Sequence, residues 1–188
     1  DSLKKAINDF IIVNVIRTLR GKEFKHRTMM INISRFNAIQ YKIYDKINDY
    51  IDLMKNTISQ TYKSDFNNFI RDPYMNDLYE EYNDEFFSEI REEFTWDQIQ
   101  EGLNNEIQQF IVTVVNNNNK KNRFNYDNYE KEGARVIAIG GFILSRGLTL
   151  EGLMISYFNR KANAYDTVLQ MCRWFGYRPG YEDLCRIY

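Results

Sequence analysis

Histidine and cysteine are almost missing from this chain: His26, Cys172 and Cys185 are all it has in 188 residues. The two cysteines lack metal-ligand spacing, which argues against a zinc site built from Cys and His. So few thiols, with no secretory leader in view, point to a reducing, cytoplasmic setting. No apolar run approaches the length of a membrane span. None of the nine glycines falls in a GxxxxGK[ST] phosphate loop. A Walker B-like carboxylate run is also missing, so the chain lacks the parts that grip a nucleotide unaided.

What is present is a globular composition, 44% hydrophobic and 27% charged, long enough for one sizeable core and a helical appendage. The net charge of −1 hides a segregation. Residues 1–64 hold twelve Lys/Arg against six Asp/Glu, whereas 65–106 hold two against thirteen. Residues 135–188 turn basic again, with seven against four. A near-neutral total therefore says little about nucleic acid, because basic blocks flank one acidic stretch. Both ends read as cut: the first residue is Asp, and the chain stops at a strand-like LCRIY.

Apolar spacing supplies the elements. Leu3, Ile7, Phe10 and Ile11 predict an amphipathic helix stopped at Gly21, followed by a buried strand over 27–34. Ile39, Ile43, Ile47, Ile51, Met54 and Ile58 then predict one long helix with a single apolar stripe. Past Pro73, the spacing of Leu78, Tyr82, Phe86, Ile90 and Phe94 predicts a helix with an acidic, solvated outer face. Thr95 and Gln98 make a capping-box candidate for the next helix. QFIVTVV (109–115), ARVIAIGG (134–141), LMISYF (153–158) and DLCRIY (183–188) read as strands, and DTVLQMCRWF (166–175) as a helix. Apolar strands separated by helices imply a mostly parallel sheet. The expectation is an α/β domain formed by 1–59 and 107–188, with a helical acidic insertion over 60–106.

In such folds ligands sit at the carboxyl ends of the strands. The stretches leaving ARVIAIGG and LMISYF carry the unusual residues: Gly141, then Ser145, Arg146, Gly147 and Thr149, and later Gln170, Arg173 and Arg178. Guanidinium and hydroxyl groups suit phosphate. Read without further context, Arg146 has the alternative of capping or pairing within its loop, and Arg173 that of a structural ion-pair partner for Asp166 or Glu182. Trp174, Phe175 and Tyr177 read first as core or interface aromatics, and His26, Cys172 and Cys185 as structural.

The passage VIAIGGFILSRGLTLEGLMISYF resembles the strand, motif V and strand of the second RecA-like domain of superfamily-two helicases. LQMCRWFGYR resembles their motif VI, and RTMMINISRFNAIQ stands in the place of motif IV. LSRGLTLEGL, YDTVLQMCRWFGYRPGYEDLCR and SLKKAINDFIIVNVIRTLRG are similar, more specifically, to the Z-one domain family, an endonuclease-labelled family found beside helicase-like ATPase regions. Position 172 is Cys where both families usually carry Gly, and the Gln170–Arg173 interval is one residue shorter than in most helicases.

This resemblance implies a three-layer RecA-like fold and a role as the second motor domain of a nucleic-acid-dependent ATPase or translocase, in a bacterial restriction or defence system. Arg173 would be the arginine finger, with Arg178 and Gln170 beside it. Gly141, Ser145, Arg146, Gly147 and Thr149 would form the loop coupling nucleotide to nucleic acid. Ser34 and Arg35 would meet backbone phosphate, as would Ser145 and Arg146. ATP and Mg would be held mainly by an upstream RecA-like domain of the intact protein, with none bound tightly here. DNA is the expected partner and no metal site is expected in this chain. Two other classes stay open: a metal-dependent endonuclease domain, for which YEKEG (129–133) is a poor carboxylate source, and a non-catalytic DNA- or protein-binding module.

Overall fold

Strands form where the sequence runs apolar for six residues and is closed by glycine or a polar turn. The computed structural model describes residues 2–22, 24–115, 124–141, 150–159 and 180–188. It holds β1 (Arg27–Asn32), β2 (Phe110–Val115), β3 (Arg135–Gly140), β4 (Leu153–Phe158) and β5 (Arg186–Ile187) in one sheet, in the order β2-β3-β1-β4-β5. The sheet is all-parallel, as continuous Val/Ile/Met runs buried on both faces require. The architecture is thus mixed α/β, consistent with the RecA-like expectation. The first strand ends at Asn32, two residues earlier than its apolar run suggests.

Register fixes which residues are neighbours. In β1 and β3, Met30 stands opposite Ala138 and Asn32 opposite Gly140; across β1 and β4, Met30 meets Ser156 and Asn32 meets Phe158. Paired residues share a face of the sheet. Met30, Val136, Ala138 and Leu153 pack there with Val115, Tyr126, Ala134 and Leu150 as a buried cluster.

Two compact units divide the chain: Asp1–Glu23 with Asn48–Phe110, and Phe24–Ile47 with Ile111–Tyr188. The second contains the sheet. The first is helical, and it takes in more chain than the acidic stretch 60–106, including α1 (Ser2–Leu19) and the back half of α2 (Asn37–Thr61). α1 is buried all round from Ala6 to Arg17, so its polar Asn8, Asp9, Asn14 and Arg17 are enclosed as well. The spacing that suggested a one-sided helix marks only the apolar part of a central one. Along α2 the buried stripe starts at Ile47 and runs through Ile51, Met54 and Ile58, while Ile39 is exposed.

Pro73 begins a helix where the sequence suggested only a break. It occupies the first turn of α4 (Pro73–Tyr82), and the Asp72 carboxylate accepts from the N–H groups of Tyr74 and Met75. The single helix expected on Leu78 to Phe94 is divided into α4, a 3₁₀ turn at Glu85–Phe87 and α5 (Ile90–Glu93). Asp84 causes the division by accepting from the Phe86 N–H, and Arg91 Nη1 ties the corner by donating to the carbonyls of Tyr82 and Asp84. A short α3 (Phe66–Phe69) precedes α4, and α6 (Trp96–Gln108) follows. The capping box at the start of α6 is present, with the Thr95 N–H donating to Gln98 Oε1 at 2.8 Å. Most carboxylates of this unit face water. Asp9 and Glu106 are buried exceptions, and Glu106 accepts from Thr18 Oγ1 at 2.7 Å. Among the described residues, no helix is long and apolar enough to cross a membrane. The helix expected over 166–175 lies outside the described residues.

Candidate functional site

The sheet's connections decide where a ligand would sit. β1 leads to β2 on one side of itself, and β4 leads to β5 on the other, so their carboxyl ends border a topological switch point. Asn32 ends β1 there and Phe158 ends β4, with the Asn159 N–H donating to the Asn32 carbonyl at 3.3 Å. Gly140 ends β3 on the other flank of Asn32.

Three of the residues singled out from the sequence meet at this edge. Ser34 and Arg35 form the turn between β1 and α2, and Gly141 follows β3. The buried Gln40 of α2 holds the turn, its Nε2 donating to the Ser34 carbonyl at 2.9 Å. Ser34 Oγ accepts from the Phe36 N–H at 3.1 Å, a local turn bond that fixes the next residue. Gly141 is packed against this turn. A Cβ built on it would lie 2.8 Å from the Ser34 carbonyl oxygen and 3.2 Å from Arg35 Cα, so only glycine lets the two backbones approach this closely. Arg35 is exposed, its guanidinium carbon 4.9 Å from the Phe36 ring centroid.

Seven other residues singled out from the sequence, Ser145, Arg146, Gly147, Thr149, Gln170, Arg173 and Arg178, lie outside the described residues. In sequence, 142–149 follows Gly141 and 160–179 follows Asn159.

Sequence reading missed Asn32 and Gln40. Asn32 is 1% exposed, and among the described residues neither Nδ2 nor Oδ1 meets a hydrogen-bond partner. Ser156 Oγ, one register step back on the same face, and Gln40 Oε1 are likewise buried and unpaired. A buried amide left without a partner costs about 1–3 kcal/mol. The signal lay in plain view: Asn32 interrupts the apolar run RTMMINIS at the carboxyl end of a strand.

The opposite end of the sheet is structural. His26 Nδ1 accepts from the Ala134 N–H at 3.0 Å, its ring stands edge-on to Tyr126, and its Nε2 is 3.7 Å from Glu151. Thr28 Oγ1 donates to the Glu151 carbonyl at 2.7 Å and meets the Tyr126 hydroxyl at 2.8 Å. Burial pushes the Tyr126 phenol up to about 12. Gly152, at φ +64°, lies against His26 so tightly that any Cβ would collide with the His26 carbonyl. These contacts pin β1 to the turns before β3 and β4. Among the described residues, no group of three His, Cys, Asp or Glu side chains is placed to hold a metal ion.

No curated protein and no solved structure matches this chain. A family model does match, over residues 2–188 and so over nearly the whole length, and the chain accordingly belongs to the Z1 domain family.

Proposed function

We propose that this chain is the second RecA-like domain of a nucleic-acid-dependent ATPase or translocase, acting in a bacterial restriction or defence system. One observation carries the reading. The carboxyl ends of β1 and β4 border one switch point with β3 beside β1, and each of the three strands is followed in sequence by a segment bearing phosphate-seeking groups. Ser34 and Arg35 follow β1, the Ser145, Arg146 and Thr149 segment follows β3, and the Gln170, Arg173 and Arg178 segment follows β4.

The donor set fits one wall of a phosphate site. It offers cations, hydroxyls and a tightly packed glycine, but no phosphate loop of its own. ATP and Mg would therefore be held mainly by an upstream domain of the intact protein, where they supply the phosphoanhydride chemistry. The part proposed for Arg173 is to place its guanidinium against charge developing on the transferred phosphoryl group, with Arg178 and Gln170 beside it. Ser145, Arg146 and Thr149 would couple that state to DNA, which Ser34 and Arg35 hold through its backbone.

Steady-state ATPase assays on the intact protein test this. Arg173→Ala should abolish turnover while nucleotide still binds. Near-wild-type turnover in that variant removes the arginine finger. Magnesium-dependent plasmid cleavage by the 188-residue chain alone would instead support the endonuclease reading attached to the family resemblance.

A further inference from the structure

Phe36 follows Arg35 at the corner between β1 and α2, and 56% of it is exposed. A phenyl ring has no polar handle for water, and leaving one exposed forgoes about 2 kcal/mol of burial. Its backbone is nevertheless fixed from both sides. The N–H donates to Ser34 Oγ at 3.1 Å, and the carbonyl accepts from the N–H groups of Ile39 and Gln40, both at 3.1 Å. Gln40 is buried and tied to Ser34, so the turn that carries the ring is anchored in the sheet unit. The ring is therefore presented on a rigid support.

The surroundings indicate what it is presented to. The Arg35 guanidinium lies over the ring at cation–π distance, 4.9 Å from carbon to centroid. A guanidinium stacked by its face keeps its edge N–H groups available for a phosphate. Ile39, one helical turn further on, is 42% exposed and extends the apolar surface. Residues 33–44 contain Arg35 and Lys42 and no carboxylate. An apolar ring beside a cation, with no carboxylate over residues 33–44, complements a polyanion with flat apolar faces better than it does a protein surface.

We propose that Phe36 is a stacking platform for an unpaired base of single-stranded nucleic acid, with Arg35 holding the adjacent phosphate. This rests on the nucleic-acid reading above and sharpens it by naming the substrate class. Bases inside a duplex have both faces covered by their neighbours, whereas a single strand can offer a face to an aromatic side chain.

The 188-residue chain can be titrated with a single-stranded oligodeoxynucleotide containing 2-aminopurine, and with the same sequence as a duplex. Stacking should quench the single-stranded probe, which should also bind more tightly than the duplex. Phe36→Leu keeps an apolar side chain but loses the flat face, and should weaken single-strand binding roughly tenfold, while Phe36→Trp retains it. Arg35→Gln should lower the slope of log affinity against log salt by about 0.7. The ring is exposed, so both Phe36 variants should keep the wild-type circular dichroism. If Phe36→Leu binds the single strand like wild type, the stacking platform is refuted and the wider nucleic-acid reading survives. If the wild-type chain binds neither probe, the nucleic-acid reading of this chain falls and takes the platform with it.

Discussion

The Ser34 carbonyl occupies the space that a side chain on Gly141 would need, so the turn after β1 and the exit from β3 are in backbone contact. The two segments are more than a hundred residues apart in sequence, and parallel pairing of β1 with β3 brings them together. A Cβ here must displace backbone as well as the Gln40 amide. Gly141→Ala should therefore destabilise the chain by about 1–3 kcal/mol, as overpacking does. Gly152→Ala should cost more, because it adds a left-handed backbone conformation to a collision with the His26 carbonyl. Urea unfolding of both variants checks the order.

Asn32 gives a prediction of opposite sign. Its amide is buried and, among the described residues, unpaired. Asn32→Leu, which keeps the branched heavy-atom outline but is apolar, should raise stability by about 1 kcal/mol. An unchanged or lowered urea midpoint would show that the amide is satisfied in solution.

Tyr126 links stability to alkaline pH. Burial raises its phenol above the ordinary value of 10, to about 12, so between these values the folded chain holds a proton that the unfolded chain has lost. The associated stabilisation, on the order of 2 kcal/mol, is complete below pH 10 and fades as pH rises toward 12. Burial likewise raises Tyr50 and Tyr82, so three phenols share the alkaline slope. Tyr126→Phe should remove only its own share, flattening but not abolishing the fall of the melting temperature between pH 9 and pH 11.

Asp72 tests the helical unit. Its carboxylate caps α4 by accepting two backbone N–H groups, and Asp72→Ala should cost about 1 kcal/mol, with Asp72→Asn costing less. Equal losses for both substitutions would point to charge, not capping, as the source of the stability.

Elements with one dominant signal could be read from the sequence. β3 and β4 are continuous apolar runs, and the capping box of Thr95 and Gln98 stands where its spacing puts it. The errors arose where a local bond overrides periodicity. Asp84 and Arg91 close a corner inside an apolar repeat that otherwise reads as one helix. α1 is enclosed on every side, and its buried Asn and Asp residues are indistinguishable from a solvated face until their neighbours are known. The placement of Ser34, Arg35 and Gly141 after strands was legible because each follows an apolar run. Gln40 could not, because its role depends on an amide reaching back six residues to the Ser34 carbonyl.

α2 belongs to both units: residues up to Ile47 group with the sheet and those from Asn48 with the helices, within one uninterrupted run from Asn37 to Thr61. The polypeptide crosses from one unit to the other three times, so each unit is assembled from separated pieces of chain. A single truncation therefore cannot deliver either one whole. Functions must be dissected by point substitution in the intact chain, because deleting the acidic segment would strip the helical unit of α3 to α6 while leaving half of a shared helix in place.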